Sequence, residues 1–223
     1  MERSTIIVAG GSGRRMGASI PKQFLLLHGE PLLFHTLRAF HAFDPHMPLV
    51  LVLPVDHHTT WEDLCAQHEF EVPHTLVAGG AERFHSTRAG LDAVTHDGLV
   101  AVHDGVRPLV SPALIARCFN AAMVHGAAIP VVPISSSVRR VEGDGSRAVD
   151  RSRLRAVQTP QCFKVDLLRQ AFELPFDPAF TDEATLVERL GVNIALVDGE
   201  DHNIKVTTPF DLEVAELVLG GRE

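Results

Sequence analysis

Three observations predict an α/β protein built on a mostly parallel sheet with helices on both faces. Short apolar runs recur along the chain, stretches of helical period separate them, and the runs are continuously apolar instead of alternating. At 223 residues, 45% hydrophobic and 22% charged, the chain is long enough for one domain, 1–223, with a substantial core. One stretch stands apart. Residues 134–158 are polar and arginine-rich and read as a projecting β-hairpin arm.

In chain order, strands are expected at 5–9, 49–54, 74–78, 99–103, 127–132 and 193–197. The first helix takes Pro31 as its first helical residue, and Leu33, Leu37 and Phe40 at i, i+4, i+7 turn one apolar face inward. Trp61, the only tryptophan, lies in a helical stretch with Leu64 and reads as core or partial surface cover, not as a platform for stacking a base. Ser111-Pro112 opens another helix. Thr181 is the expected N-cap of a third, which runs through Leu186 and Leu190 to Gly191 as C-cap. Thr208-Pro209 opens the last, which closes at Gly220-Gly221. In the arm, Gly143-Asp144-Gly145 turns the chain between Val138-Arg139-Arg140-Val141 and Ala148-Val149-Asp150.

Charge and composition exclude several classes. The formal charge of −8 argues against a nucleic-acid surface. Between 135 and 155, however, six arginines face three acids, which suits a small anion or a partner chain. The longest apolar runs fall far short of the roughly 18 residues of a membrane span, so no membrane is expected. Met1-Glu2-Arg3-Ser4 leads straight into a β-rich run without a basic leader, and a cytoplasmic protein is expected. Cys65, Cys118 and Cys162 fit neither a disulfide framework nor a CxxC metal site, and the thirteen histidines form no metal motif. Ligands of parallel sheets sit at the carboxyl ends of strands, which directs attention to the loops after Ala9, Ala78 and His103.

The first of these loops is Ala9-Gly10-Gly11-Ser12-Gly13-Arg14-Arg15-Met16-Gly17, whose glycines let backbone N–H groups approach an anion while arginines add charge. No Gly-Lys-Ser/Thr follows, so it is not a Walker A loop. Met16 stands where a dinucleotide fingerprint needs Gly or Ala. Pro21-Lys22-Gln23-Phe24 adds a lysine behind a proline. The glycine loop followed by Pro-Lys-Gln-Phe resembles the sugar-phosphate nucleotidylyltransferases, and within them the 2-C-methyl-D-erythritol 4-phosphate cytidylyltransferases. Further blocks continue the likeness in order: Gly79-Gly80-Ala81-Glu82-Arg83 with Ser86, His103-Asp104-Gly105-Val106-Arg107-Pro108, Val149-Asp150-Arg151, Gln158-Thr159-Pro160-Gln161, Thr181-Asp182-Glu183-Ala184 and Asn203-Ile204-Lys205-Val206-Thr207.

The resemblance implies a Rossmann-like fold and a reaction in which a sugar-alcohol phosphate attacks the α-phosphorus of CTP and expels pyrophosphate. That nucleophile is already an anion, so no general base is needed; positioning and fixed cations must do the work. By resemblance, Arg15 and Lys22 stabilise the transition state at the α-phosphate, while Arg14 reads as a solvated surface charge. Arg151 and Lys205 hold the acceptor phosphate for attack, with Thr159 and Thr181 as hydroxyl donors. Arg151 lies on the arm, and the resemblance implies that it reaches the neighbouring subunit of a homodimer. Gly10, Gly11 and Gly13 belong to the phosphate loop, and Gly79, Gly80 and Ser86 read the cytosine. Asp104 lies beside the ribose and phosphates, where it can help a Mg²⁺ ion, held mainly by the CTP phosphates, through water. Two departures from the family pattern are Ala81, where an acid can occur, and Gly105-Val106 in place of Ala-Ala, which bears on the grip on the ribose. The nearest rival acceptor is ribitol 5-phosphate. The Thr181 and Val149 blocks favour methylerythritol phosphate. The chain ends just after the last expected helix, so no fused second enzyme is expected.

Overall fold

The central strands of the sheet, Arg3–Val8, Leu49–Leu53 and Leu99–Asp104, are buried on both faces, which is why they read as nearly unbroken apolar runs. The structure is a computed structural model that describes residues 1–11 and 20–221. Its elements in chain order are β1 (Arg3–Val8), β2 (Leu26–Leu27), β3 (Glu30–Pro31), α1 (Leu32–Phe43), β4 (Leu49–Leu53), α2 (His58–Gln67), β5 (Thr75–Ala78), α3 (Arg83–Asp92), β6 (Leu99–Asp104), α4 (Pro112–His125), β7 (Ala127–Pro133), β8 (Val138–Glu142), β9 (Gly145–Val149), β10 (Arg155–Val157), β11 (Gln161–Lys164), α5 (Val165–Ala171), α6 (Glu183–Glu188), β12 (Ala195–Asp198) and α7 (Pro209–Gly220).

β6, β1, β4 and β5 lie side by side and parallel, and β12 runs parallel to β7. β11 fits antiparallel between β6 and β7. Ala128 pairs with both Cys162 and Ala195, and Val131 with both Val157 and Asp198, so β10 and β11 share one edge of β7 while β12 takes the other. Alternate residues of each strand feed opposite cores. Ile7, Leu51 and Ala101 face Leu37, Phe40, Trp61 and Phe119 of α1, α2 and α4. Ile6, Val52 and Val102 face Phe84, Leu91, Leu168 and Leu186 of α3, α5 and α6. Each such aliphatic side chain, when fully buried, contributes roughly 1.5–3 kcal/mol.

The six expected strands and the turn of the arm are in place. The expected helix starts need correction in two places. Pro31 precedes α1 as its N-cap. Thr181 does not cap α6; Asp182 does, its carboxylate accepting from the Thr185 N–H at 2.9 Å. A carboxylate is an equally good cap and stands one residue nearer to the first helical turn. The helix ends at Glu188, and Gly191, with φ +76°, belongs to the turn beyond it. The expected list lacks α3, α5, β10 and β11. α3 escapes periodicity because small and polar residues, Ser86, Thr87 and Gly90, fill most of its buried face between Phe84 and Leu91. A Cβ on its Gly90 would stand 2.6 Å from Ile6 Cγ2 and 2.8 Å from Val52 Cγ2.

The hairpin of β8 and β9 forms its own two-stranded sheet, with Gly143 at φ +56° in the turn. Almost all of it is exposed, including Val141 at 77%.

Candidate active site

The carboxyl ends of β1, β5 and β6 meet at one cleft of about 740 Å³. Gly10 and Gly11 border it after β1, Gly80 from the β5–α3 turn, Ser86 from α3 and Asp104 from the end of β6, together with Lys22 and Lys205. The loops expected to carry the site therefore converge. Gly13 and Arg15 lie outside the described residues.

Lys22 starts a short 3-10 turn, Lys22–Phe24, behind Pro21. Phe24 stacks on Trp61 at a centroid distance of 6.3 Å, and Gln23 Nε2 stands 3.3 Å from His57 Nδ1. Two buried neighbours thus anchor the lysine, which is itself only 8% exposed. Its chain crosses Gly11, where a Cβ would stand 3.2 Å from Lys22 Cε. Trp61 is core, as one of the two expectations had it.

The Gly79-Gly80 turn folds tightly onto α3. The Gly79 N–H donates to the Leu53 carbonyl at 2.7 Å, and the Gly80 N–H donates to Ser86 Oγ at 3.1 Å. A Cβ on Gly80 would lie 2.4 Å from His85 Cβ, so only glycine fits. Gly105 has a different role from the one its departure suggested. Its Cβ direction points to Ala9 Cβ at 2.8 Å and Leu33 Cδ1 at 3.0 Å, towards the core, and Val106 alone of the two borders the cleft.

A second cleft of about 460 Å³ adjoins the first and shares Arg83, Asp104 and Lys205 with it. Arg107, Thr159, Gln161 and Thr181 also border it. Asp104, 7% exposed, sits at the junction. Its Oδ2 is 3.0 Å from Lys205 Nζ and 3.2 Å from Arg107 Nε, and its Oδ1 is 3.7 Å from Arg83 Nε. Burial alone would raise its pKa, but Lys205, Arg83 and Arg107 together hold it well below the usual carboxylate range. Three cations thus surround one carboxylate at the junction.

Lys205 owes its place to a buried bracket. Gln158 Nε2 donates to the Glu200 carbonyl at 2.8 Å, Asn203 Nδ2 donates to the Thr159 carbonyl at 2.8 Å, and Arg107 Nη1 donates to the Asn203 carbonyl at 2.8 Å. Thr159 is committed to the protein. Its oxygen accepts from the Asp104 N–H at 3.1 Å and lies 3.0 Å from His103 Nδ1. His103 Nε2, 3.2 Å from the Arg107 carbonyl, must carry the ring proton, so Thr159 donates to Nδ1.

Thr181 borders the second cleft, with its hydroxyl 3.3 Å from that of Thr185. Arg151 borders neither cleft of its own chain. It lies exposed after the hairpin, with Nη1 on the Ser135 carbonyl. Arg83, His103, Arg107, Gln161 and Glu183 fall within the family blocks, yet no role could be attached to them from the sequence. All are buried or part-buried polar groups around the junction. Gln161 Nε2 donates to Asp182 Oδ2 at 2.8 Å, and its Oε1 accepts from the Ala184 N–H at 3.0 Å.

Among the described residues, no three His, Cys, Asp or Glu side chains stand together as a metal cage. With cations on both of its oxygens, Asp104 suits water-mediated contact with a metal better than direct ligation. No helix among the described residues is long and apolar enough to cross a membrane.

Comparison with known proteins matches residues 4–221 to the family model of 2-C-methyl-D-erythritol 4-phosphate cytidylyltransferase. Proteins of that name from Porphyromonas gingivalis and Bacteroides fragilis are 51% and 50% identical over 220 and 219 residues, covering 98% of this chain and 98% and 100% of theirs. The crystal structure of 2-C-methyl-D-erythritol 4-phosphate cytidylyltransferase from Thermus thermophilus superposes with a TM-score of 0.80 at 36% identity, over 98% of both chains. That of 4-diphosphocytidyl-2C-methyl-D-erythritol synthase from Anaerococcus prevotii gives 0.82 at 28%, again over 98% of both.

Proposed function

This chain belongs to the 2-C-methyl-D-erythritol 4-phosphate cytidylyltransferase family, and on that premise we propose how its two clefts divide the work. The enzyme transfers the cytidylyl group of CTP to 2-C-methyl-D-erythritol 4-phosphate, giving 4-diphosphocytidyl-2-C-methyl-D-erythritol and pyrophosphate. CTP lies in the larger cleft, with its cytosine at the Gly79-Gly80 turn and Ser86 and its phosphates at Gly10, Gly11 and Lys22. The acceptor lies in the smaller cleft, beside Thr159, Thr181 and Arg107. The observation that carries this reading is the junction: two clefts share Arg83, Asp104 and Lys205, so an acceptor phosphate on Lys205 faces the α-phosphate on Lys22.

The acceptor phosphate oxygen forms a bond to the α-phosphorus as the bond to the bridging β-phosphate oxygen breaks. No proton need be removed, and bringing two anions together is the main obstacle. Lys22 and Lys205 offset the repulsion, and a part-buried setting strengthens each charge. Arg15 and Gly13 enter on the family resemblance alone, as the second transition-state cation and part of the phosphate loop. Mg²⁺ brought in with CTP would be held through the triphosphate oxygens and would neutralise charge there, with Asp104 placed to contact it through water. Arg151 completes the site of a neighbouring subunit, with the arm as the contact of a homodimer. Both substrates are water-soluble anions, which fits a cytoplasmic enzyme.

The test is pyrophosphate release with Mg²⁺ and CTP, comparing methylerythritol 4-phosphate with ribitol 5-phosphate. Rapid release with the first acceptor alone is expected, falling on the order of 10²-fold in Lys22→Ala. Release with ribitol 5-phosphate alone, or an unaffected Lys22→Ala enzyme, refutes the assignment.

A further inference from the structure

Arg83 opens α3 directly after the Gly79-Gly80 turn, and with Lys205 it is one of the two cations among the described residues that border both clefts. Its two ends are held unequally. Nη1 donates to Glu183 Oε1 at 2.5 Å, whereas Nε stands 3.7 Å from Asp104 Oδ1, beyond hydrogen-bond range. Nη2 takes part in neither contact.

Glu183 is well placed to orient a guanidinium. Its side chain is 2% exposed, its Oε1 also accepts from Thr87 Oγ1 at 2.9 Å, and it follows the cap residue Asp182 at the start of α6. Asp104, by contrast, has Lys205 and Arg107 on its Oδ2 at 3.0 and 3.2 Å. Arg83, at 3.7 Å, adds to the charge balance of Asp104 through space but makes no hydrogen bond to it. A purely structural strut would hydrogen-bond both of its carboxylates. Arg83 hydrogen-bonds Glu183 and meets Asp104 only at ion-pair distance, at the place where two anionic substrates must approach. Burial works against its charge, but the carboxylates of Glu183 and Asp104 outweigh that and keep it cationic.

We propose that Arg83 is a further catalytic residue of the cytidylyl transfer: oriented by Glu183, its guanidinium bonds the non-bridging oxygens of the α-phosphate as the acceptor phosphate attacks. The proposal rests on the division of the clefts given above. No bond is made to Arg83; the acceptor oxygen bonds to the α-phosphorus, the bond to pyrophosphate breaks, and Arg83 bears on the charge that builds between them. A planar fork suits two oxygens of one phosphate, which an ammonium cannot bond as a pair. Glu183 is then a positioning residue.

The experiment measures kcat and both KM values for the wild type, Arg83→Ala and Arg83→Lys, with the two α-thio diastereomers of CTP as alternative substrates. Arg83→Ala is expected to lose on the order of 10²-fold in kcat, with both KM values within a few-fold and partial recovery on adding millimolar guanidinium. Arg83→Lys keeps a cation against Glu183 and guards against a folding defect. In it the rate ratio between the diastereomers is expected to shift about tenfold, because sulfur replaces one of the oxygens that the fork bonds. A silent wild-type enzyme sinks both readings. An active wild type with an Arg83→Ala kcat within about threefold of it, or with the diastereomer ratio unmoved in Arg83→Lys, sinks only the role given to Arg83.

Discussion

Thr159 spends its one proton on His103, and both ring nitrogens of His103 are engaged. The threonine oxygen takes the Asp104 N–H and gives its proton to His103 Nδ1, and the other ring nitrogen gives to the Arg107 carbonyl. Thr159 thus holds the backbone of Asp104 in place, whatever else it touches. His103 is fully buried, and burial pushes its pKa down to about 3. The unfolded chain takes up a proton near pH 6.5 that the folded chain refuses until about pH 3, so stability falls as pH drops through that window. The slope from this one group is up to about 1.4 kcal/mol per pH unit. Guanidinium unfolding at about pH 7 and about pH 4.5 should show the loss, and His103→Gln should flatten it; an equal slope in the variant would contradict the assignment. Asp104 adds in the same direction at lower pH. Its folded pKa is depressed, so its contribution is present above the ordinary carboxylate range and lost as pH falls below it. At this scale the sequence pointed to Lys22, Asp104 and Lys205 through their motifs, and the structure puts all three at one cleft. It could not assign Arg83, because nothing local marks an arginine whose partners lie 21 and 100 residues away.

At the level of elements, α6 matters because it starts at the second cleft. Asp182 caps it, and through Gln161 Nε2 it also ties the helix to β11. Asp182→Ala is expected to cost about 1–2 kcal/mol in chemical unfolding and to raise the KM for the acceptor more than that for CTP. If the two KM values rise together, α6 does not shape one cleft alone. The sequence located the helix but misplaced its cap by a residue, since Thr and Asp are both good caps and only the path of the chain chooses between them. It missed α3 for a different reason. Between Phe84 and Leu91 that helix packs on the sheet through Gly90 and the buried Ser86 and Thr87, which leave too weak an apolar period to read.

For the whole molecule, the hairpin of β8 and β9 sets the main expectation. An isolated two-stranded hairpin is at best marginal in water, and this one leaves Val141 and most of both faces exposed. The proposed homodimer supplies a cover, and it predicts complementation. Arg151→Ala and Lys205→Ala should each be nearly inactive alone. When unfolded together and refolded, they should form mixed dimers with one intact site, recovering about a quarter of wild-type activity if Arg151 acts across a two-fold axis. No recovery would mean that Arg151 works within its own chain or not at all. Hydropathy and motif order by themselves determined the class of fold, the six strands, the arm and the family resemblance, because those properties are local or sequential and need no knowledge of which segments meet. Only the tertiary structure decided that Arg83, Asp104, Arg107 and Lys205 share one junction between two clefts. Such a meeting is produced by the packing of distant strands and helices, and the burial that strengthens those charges exists only once the chain has closed around them.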